Sequence, residues 1–175
     1  VRPPKRKDTL ANILEAPDRQ ALLTWLQSQS LALRETIGGQ DVLMVHAGVL
    51  PQWSADDTMA LAREVEDTLQ GPQAADFFTA MYADTPDRWD AALTGVNRIR
   101  IIVNALTRLR YCTAEGVMEF QSKGSSDTAP TGYLPWFDVP GRKSRNTIVA
   151  FGHWSTLGWL GRTDVYALDL GCVWG

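Results

Sequence analysis

Two apolar, β-rich runs in this chain each end in a histidine within a small-residue turn, and those are its two histidines. The first run is Asp41-Val42-Leu43-Met44-Val45-His46-Ala47-Gly48. The second is Asn146-Thr147-Ile148-Val149-Ala150-Phe151-Gly152-His153-Trp154. A short run rich in Val and Ile that stops at small turn residues reads as a buried strand. Each run therefore carries an imidazole to the rim of a sheet, and a fold must be found that tolerates both.

The rest of the chain supplies layers for such a sheet. Residues 9–14 and 18–27 read as two short helices divided by Pro17, with Asp18 as N-cap of the second. Gly38-Gly39 breaks the chain ahead of a strand at 42–45. Ser54 is placed to cap a helix over 55–69, where Met59, Leu61, Ala62, Val65 and Leu69 recur near period 3.6. Further helices are expected over 74–82 and 95–109, then a hairpin of strands 110–112 and 117–121. Residues 122–145 have no period and read as a long loop, tied down around Pro135-Trp136-Phe137. Strands are expected over 147–151 and 165–170. Strands interleaved with helices indicate an α/β (α+β) arrangement, read as one domain over residues 1–175.

Composition removes several classes of function. A formal net charge of −3 lacks the basic face that backbone-driven nucleic-acid binding needs, and the basic stretch Arg2-Pro3-Pro4-Lys5-Arg6-Lys7 reads as a solvated lead-in. No apolar run reaches the ~18 residues of a membrane span, and no signal peptide is evident. Cys112 and Cys172 sit in unlike contexts with no metal or disulfide spacing, so the expectation is a reducing cytoplasm, with no membrane and no disulfide-linked partner. Both ends fall in unusual places, a start without Met and a stop just after an apolar strand, which reads as a fragment.

Three groups of residues could carry chemistry. His46 and His153 are candidate metal ligands, with Asp41, Asp164 and Asp169 as possible carboxylate partners; two imidazoles alone fall short of the roughly four to six ligands a transition ion takes. A satisfied strand-end histidine is the competing reading, and the residues alone leave both open. Asn104 and Arg108 are four apart on a helix and share a face, with Arg110 just beyond, and a guanidinium there suits phosphate. A solvated helix face with Arg paired to carboxylates is the competing reading. Trp53, Trp136, Trp154 and Trp159 lie in turns near these motifs, where a nucleobase could stack on one of them, or where they could simply pack.

Taken together, Val45-His46-Ala47-Gly48-Val49-Leu50-Pro51-Gln52-Trp53, Asn104-Ala105-Leu106-Thr107-Arg108-Leu109-Arg110-Tyr111-Cys112, Phe151-Gly152-His153-Trp154 and Leu168-Asp169-Leu170-Gly171-Cys172-Val173-Trp174-Gly175 resemble one family in order and content. It is the bacterial symmetrical diadenosine tetraphosphatases, a branch of the phosphoprotein-phosphatase-like metallophosphoesterases. The resemblance covers nearly the whole chain and implies an αββα sandwich with two divalent metal ions, manganese or cobalt. It implies that His46 and His153 ligate the second metal, and that the intact protein hydrolyses diadenosine tetraphosphate to two ADP. The family's Gly-Asp-x-His, Gly-Asp-x-x-x-x-Arg-Gly and Gly-Asn-His-Asp motifs precede the His-Ala-Gly motif and do not occur here. The chain is therefore expected to be the C-terminal portion of such a domain, lacking the first metal's ligands and the proton donor, and inactive alone. Arg108, with Asn104 and Arg110 beside it, is expected to meet bridge phosphates, and Trp154 to stack on adenine. A related phosphatase acting on phosphoprotein or nucleotide-capped RNA 5′ ends, and a non-catalytic polyphosphate-binding paralogue, are the alternatives.

Overall fold

The computed structural model describes residues 10–172; the basic lead-in and Val173-Trp174-Gly175 lie outside them. In chain order the elements are α1 (Ala11–Leu14), α2 (Arg19–Gln27), β1 (Ala32–Ile37), β2 (Gln40–Val45), α3 (Ala55–Gln70), α4 (Ala74–Ala80) and α5 (Gly95–Arg108), followed by β3 (Tyr111–Cys112), β4 (Met118–Glu119), β5 (Leu134–Pro135), β6 (Ile148–Phe151) and β7 (Val165–Ala167). A four-stranded sheet runs β1-β2-β6-β7 and a three-stranded one β4-β3-β5, so the α/β expectation is borne out.

Most expected elements appear within a few residues of where periodicity puts them, and β1 does not. Leu31-Ala32-Leu33-Arg34-Glu35 is built of good helix formers with no strand alternation. What makes β1 a strand is its partner: it pairs antiparallel with β2 from Ala32↔Val45 to Ile37↔Gln40. Gly38 and Gly39 have φ of 58° and 80°, the left-handed backbone that a tight hairpin turn demands. The glycines expected to break the chain thus fold it back. A second departure is β5, which emerges from the expected loop because Leu134–Pro135 pairs with β3. At α2, Asp18 occupies the N-cap position without a capping hydrogen bond. At α3 the expected cap is a full capping box: Ser54 Oγ accepts from Asp57 N–H at 3.1 Å while the Asp57 carboxylate accepts from Ser54 N–H at 2.9 Å.

β2 pairs parallel with β6, from Val42↔Ile148 to Val45↔Phe151, and β6 parallel with β7. Alternate residues on these strands (Ala32, Leu43, Val45, Val149, Phe151, Val165 and Ala167) are buried under one core. Ile101, Ile102, Ala105 and Leu106 of α5 and Leu61, Ala62 and Val65 of α3 complete it. The other face differs. Across it Leu33 pairs with Met44, Met44 with Ala150, and Ala150 with Tyr166, yet Leu33, Met44 and Leu168 are exposed. Parallel strands are ordinarily covered on both faces; among the described residues this face is largely open.

One charged network pins the segment around Trp136 to β7. Arg142, only 3 % exposed, donates to the Phe137 carbonyl at 3.2 Å, to Ser144 Oγ at 3.0 Å and to Asp164 Oδ2 at 2.6 Å. Arg162 grips Asp164 through two 2.9 Å bonds and also pairs with Asp138. Arg162 first, and Arg142 after it, hold the Asp164 carboxyl well below the usual carboxylate range. Its pKa being lower folded than unfolded, this stabilisation is complete above the unfolded value near 4 and is lost as pH falls through the folded one.

Two predictions follow from this packing. Leu43→Ala, which empties a fully buried site, is expected to cost about 2–5 kcal/mol, against about 1 kcal/mol for Ser54→Ala at the cap, ranked by urea denaturation. Asp164→Asn is expected to cost about 2 kcal/mol at pH 7, less than the ~3–5 kcal/mol of a fully buried broken pair, because the Asp164 side chain is 35 % exposed and partly screened. The difference from the parent should shrink steadily below pH 4.

Candidate metal centre

His46 is the first residue past β2 and His153 the second past β6, so the Val45↔Phe151 pairing sets them side by side. Their ring centroids are 5.2 Å apart with planes inclined by 53°. The backbones are joined as well: Gly152 N–H donates to the His46 carbonyl at 2.9 Å, and Ala47 N–H to the Leu106 carbonyl of α5 at 2.7 Å. Behind them Gly48 has a physical reason to be glycine, since a Cβ there would come within 2.8 Å of the Trp136 indole.

Among the described residues His153 is the non-glycine with positive φ, 64°. Trp154 N–H reaches the Gly152 carbonyl at 2.7 Å, closing a tight three-residue turn around it. A bulky side chain in this backbone region is costly and persists only where neighbouring contacts impose it. Here the imposing contact is Trp154, whose ring is buried edge-on against Tyr111 with Nε1 donating to the Gly124 carbonyl at 2.7 Å.

The His153 Nε2 is buried without a hydrogen-bond partner. Burial first, then Arg110 and His46, push the His153 pKa down to about 4; Asp169 acts in the opposite sense. The ring is neutral at physiological pH, the state in which imidazole ligates a metal. His46 is exposed and lines a pocket of about 320 Å³ with Met44, Gly152 and Leu168 on the open side of the sheet. An orphaned buried nitrogen beside a second, accessible imidazole fits a transition-metal ion. It is a partial set: no group of three or more His, Cys, Asp or Glu placed to hold a metal occurs among the described residues.

The other candidate residues sort differently from their sequence expectations. Asn104 and Arg108 do share a helix face, with Arg108 Nη1 donating to Asn104 Oδ1 at 3.0 Å. Both are spent on the chain ahead of α5: Asn104 Nδ2 donates to the Ala83 carbonyl, and Arg108 pairs with Asp84 at 2.7 Å and lies over the Phe120 ring. Arg110 is the freer cation. It is half-buried, enters no salt bridge among the described residues, leaves Nε without a partner, and donates from Nη2 to the His153 carbonyl at 3.2 Å. Trp154 requires a correction: at 2 % exposure, packed on Tyr111 and Phe137, it offers no ring face to a base. Trp53 and Trp136 are likewise core, and Trp159, 76 % exposed, is the open one of the four. Cys112 is buried, its thiol pushed up to about 12 by that burial, and inert. No helix of the described residues is long and apolar enough to cross a membrane.

No family model matches the chain. Its similarity to curated proteins is nonetheless high. It is 58 % identical over all 175 residues to the protein named symmetrical bis(5′-nucleosyl)-tetraphosphatase of Paracidovorax citrulli. Proteins of the same name from Delftia acidovorans and Ralstonia nicotianae are 57 % and 50 % identical, again over the whole chain. The chain spans 62 % of the first relative's length, 63 % of the second's and 60 % of the third's. The resemblance carried by the His-Ala-Gly, Pro-Gln-Trp and Asn-Ala-Leu-Thr-Arg motifs is thereby borne out: from end to end, this chain is a homologue of the symmetrical bis(5′-nucleosyl)-tetraphosphatases.

Proposed function

We propose that the complete protein is a cytoplasmic, metal-dependent hydrolase that splits diadenosine tetraphosphate symmetrically into two ADP, and that this chain is the C-terminal portion of its metallophosphoesterase domain. The observation that carries the reading is 58 % identity along the full chain to relatives named for that activity. The side-by-side histidines support its metal dependence, and the free Cys112 and Cys172 support a reducing compartment. No feature of the described residues favours a phosphoprotein or a nucleotide-capped RNA over a small dinucleotide.

On this reading His46 and His153 hold one of two divalent ions, manganese or alternatively cobalt, and the remaining donors come from the part of the relatives' length that this chain does not span. When bound, the ions would supply Lewis-acid polarisation of phosphoryl oxygens. The work of this chain's own residues is positioning and charge. The β2–β6 pairing holds the two imidazoles at fixed separation, and the tight turn at Gly152 fixes the His153 ring. Arg110, beside that turn with unused donors, is the residue we assign to the bridge phosphates; a desolvated guanidinium suits an oxyanion. Arg108 and Asn104 act behind it by bracing the segment at Ala83 and Asp84.

The direct test is product analysis on the complete protein with diadenosine tetraphosphate, with and without manganese. ADP as sole product, dependent on metal and reduced at least 100-fold in His153→Ala, is the expected result. AMP with ATP, or full activity in that variant, would overturn it. Arg110→Ala is expected to lower kcat/KM by about 10- to 100-fold, corresponding to a charge-assisted contact of ~1.5–3 kcal/mol.

A further inference from the structure

Three carboxylates accompany the two histidine strands, and the structure disposes of two of them. Asp41 is gripped by Arg34 through two 2.8 Å bonds and accepts from Thr147 Oγ1 at 2.9 Å. Asp164 is shared between Arg142 and Arg162. Asp169 is different. It lies in Leu168-Asp169-Leu170-Gly171-Cys172, a motif to which the hydrolytic reading above gives no task. It enters no ion pair among the described residues, and Oδ1 accepts from Gly171 N–H at 2.8 Å.

Its place is set by the sheet. Leu168 N–H donates to the Phe151 carbonyl at 2.8 Å, so the chain leaving β7 stays in register with the end of β6. Leu168 thus falls level with Gly152, and Asp169, the next residue, comes up beside that glycine. A Cβ built on Gly152 would lie 3.6 Å from the Asp169 Cβ and 3.5 Å from the His46 carbonyl oxygen. Gly152, whose own N–H is bound to His46 and whose next neighbour is His153, is thus flanked by the backbone of one histidine and by the carboxylate-bearing residue.

Arg110 and the two imidazoles meet at this corner of the sheet, with Glu119 of β4 acting on Arg110 as an opposite charge. Arg110 donates to the His153 carbonyl and enters no salt bridge among the described residues, and a divalent cation on the histidine pair would add to its positive charge. We propose that Asp169 is a positioning residue for that cation: from beside Gly152 its negative charge offsets Arg110 and holds the His46–His153 pair competent to bind a divalent metal. It acts through the histidines rather than as a ligand, since it forms no three-donor cluster with them. The electrostatic effect of Asp169 on His153, opposite in sign to those of Arg110 and His46, agrees with this. Outer carboxylates of this kind are commonly worth 10- to 100-fold in metal affinity. The inference rests on the metal-centre reading above.

A purely structural role, the turn closed by Gly171 N–H, is separable by chemistry. Asp169→Asn keeps an acceptor for Gly171 and removes the charge, whereas Asp169→Ala removes both. Cobalt(II) titrations of the complete protein, followed by visible d–d absorption and by calorimetry, read the site without turnover. His46→Ala and His153→Ala serve as references, and thermal midpoints in chelator report the fold. The expected result is that Asp169→Asn loses at least ~10-fold in cobalt affinity with an altered absorption band, while its metal-free midpoint matches the parent. Parent-like cobalt affinity in Asp169→Asn overturns the proposal alone, provided both histidine variants lose binding. Cobalt binding that survives both histidine variants overturns the metal-centre reading, and this proposal with it.

Discussion

The parallel pairing of β2 with β6 is the constraint on which the candidate site depends. It places Val45 opposite Phe151, and the bond from Gly152 N–H to the His46 carbonyl carries the register one step past the strands. A slip of one residue would turn Leu43, Val45, Val149 and Phe151 out of the core and Met44 and Ala150 into it. The same burial that stabilises the sheet therefore fixes the separation of two imidazoles that lie more than a hundred residues apart in sequence. Function needs no separate stabilising device at this point, because the core already supplies the register.

Behind the histidines the packing is close, and glycine makes it possible. Gly48 lets the Trp136 indole lie on the backbone just after His46, and Trp136 is itself locked edge-on against Phe137 and Phe151. The Arg142–Asp164–Arg162 network then binds the segment carrying Trp136 and Phe137 to β7. Aromatic walls and buried guanidinium bonds together restrain the turn that holds His153 in its unusual backbone conformation. A site for a cation tolerates little movement of its ligands, so rigidity here serves binding.

Several residue types that were equivalent candidates in sequence are separated by who their partners are. Arg108 and Arg110 are two apart; one is consumed by Asp84 and Asn104, the other faces the His153 turn with donors to spare. Asp41 and Asp164 are held in ion pairs with arginines, and Asp169 enters none among the described residues. Trp154 neighbours the candidate site in sequence and packs away from it in space, because its Nε1 finds the Gly124 carbonyl. These assignments follow from hydrogen-bond satisfaction: a buried polar group takes the partner within reach, and what remains unpaired is what is free to meet a ligand.

Local signals in the sequence determined a great deal. The 3.6-residue periods of α3 and α5, the Ser54 cap, the two strand–histidine runs, and the motifs that carry the family resemblance were all legible, because helix periodicity, capping chemistry and turn residues act over a few neighbours. Tertiary structure decided the rest. β1 is a strand because β2 offers it an edge, its first residues, Ala32 to Glu35, being helix formers. The meeting of His46 with His153, the spending of Arg108, the freedom of Arg110 and the placement of Asp169 against Gly152 all depend on contacts between distant segments. Such contacts are settled by which side chains share a buried volume, and no short window of sequence contains both partners.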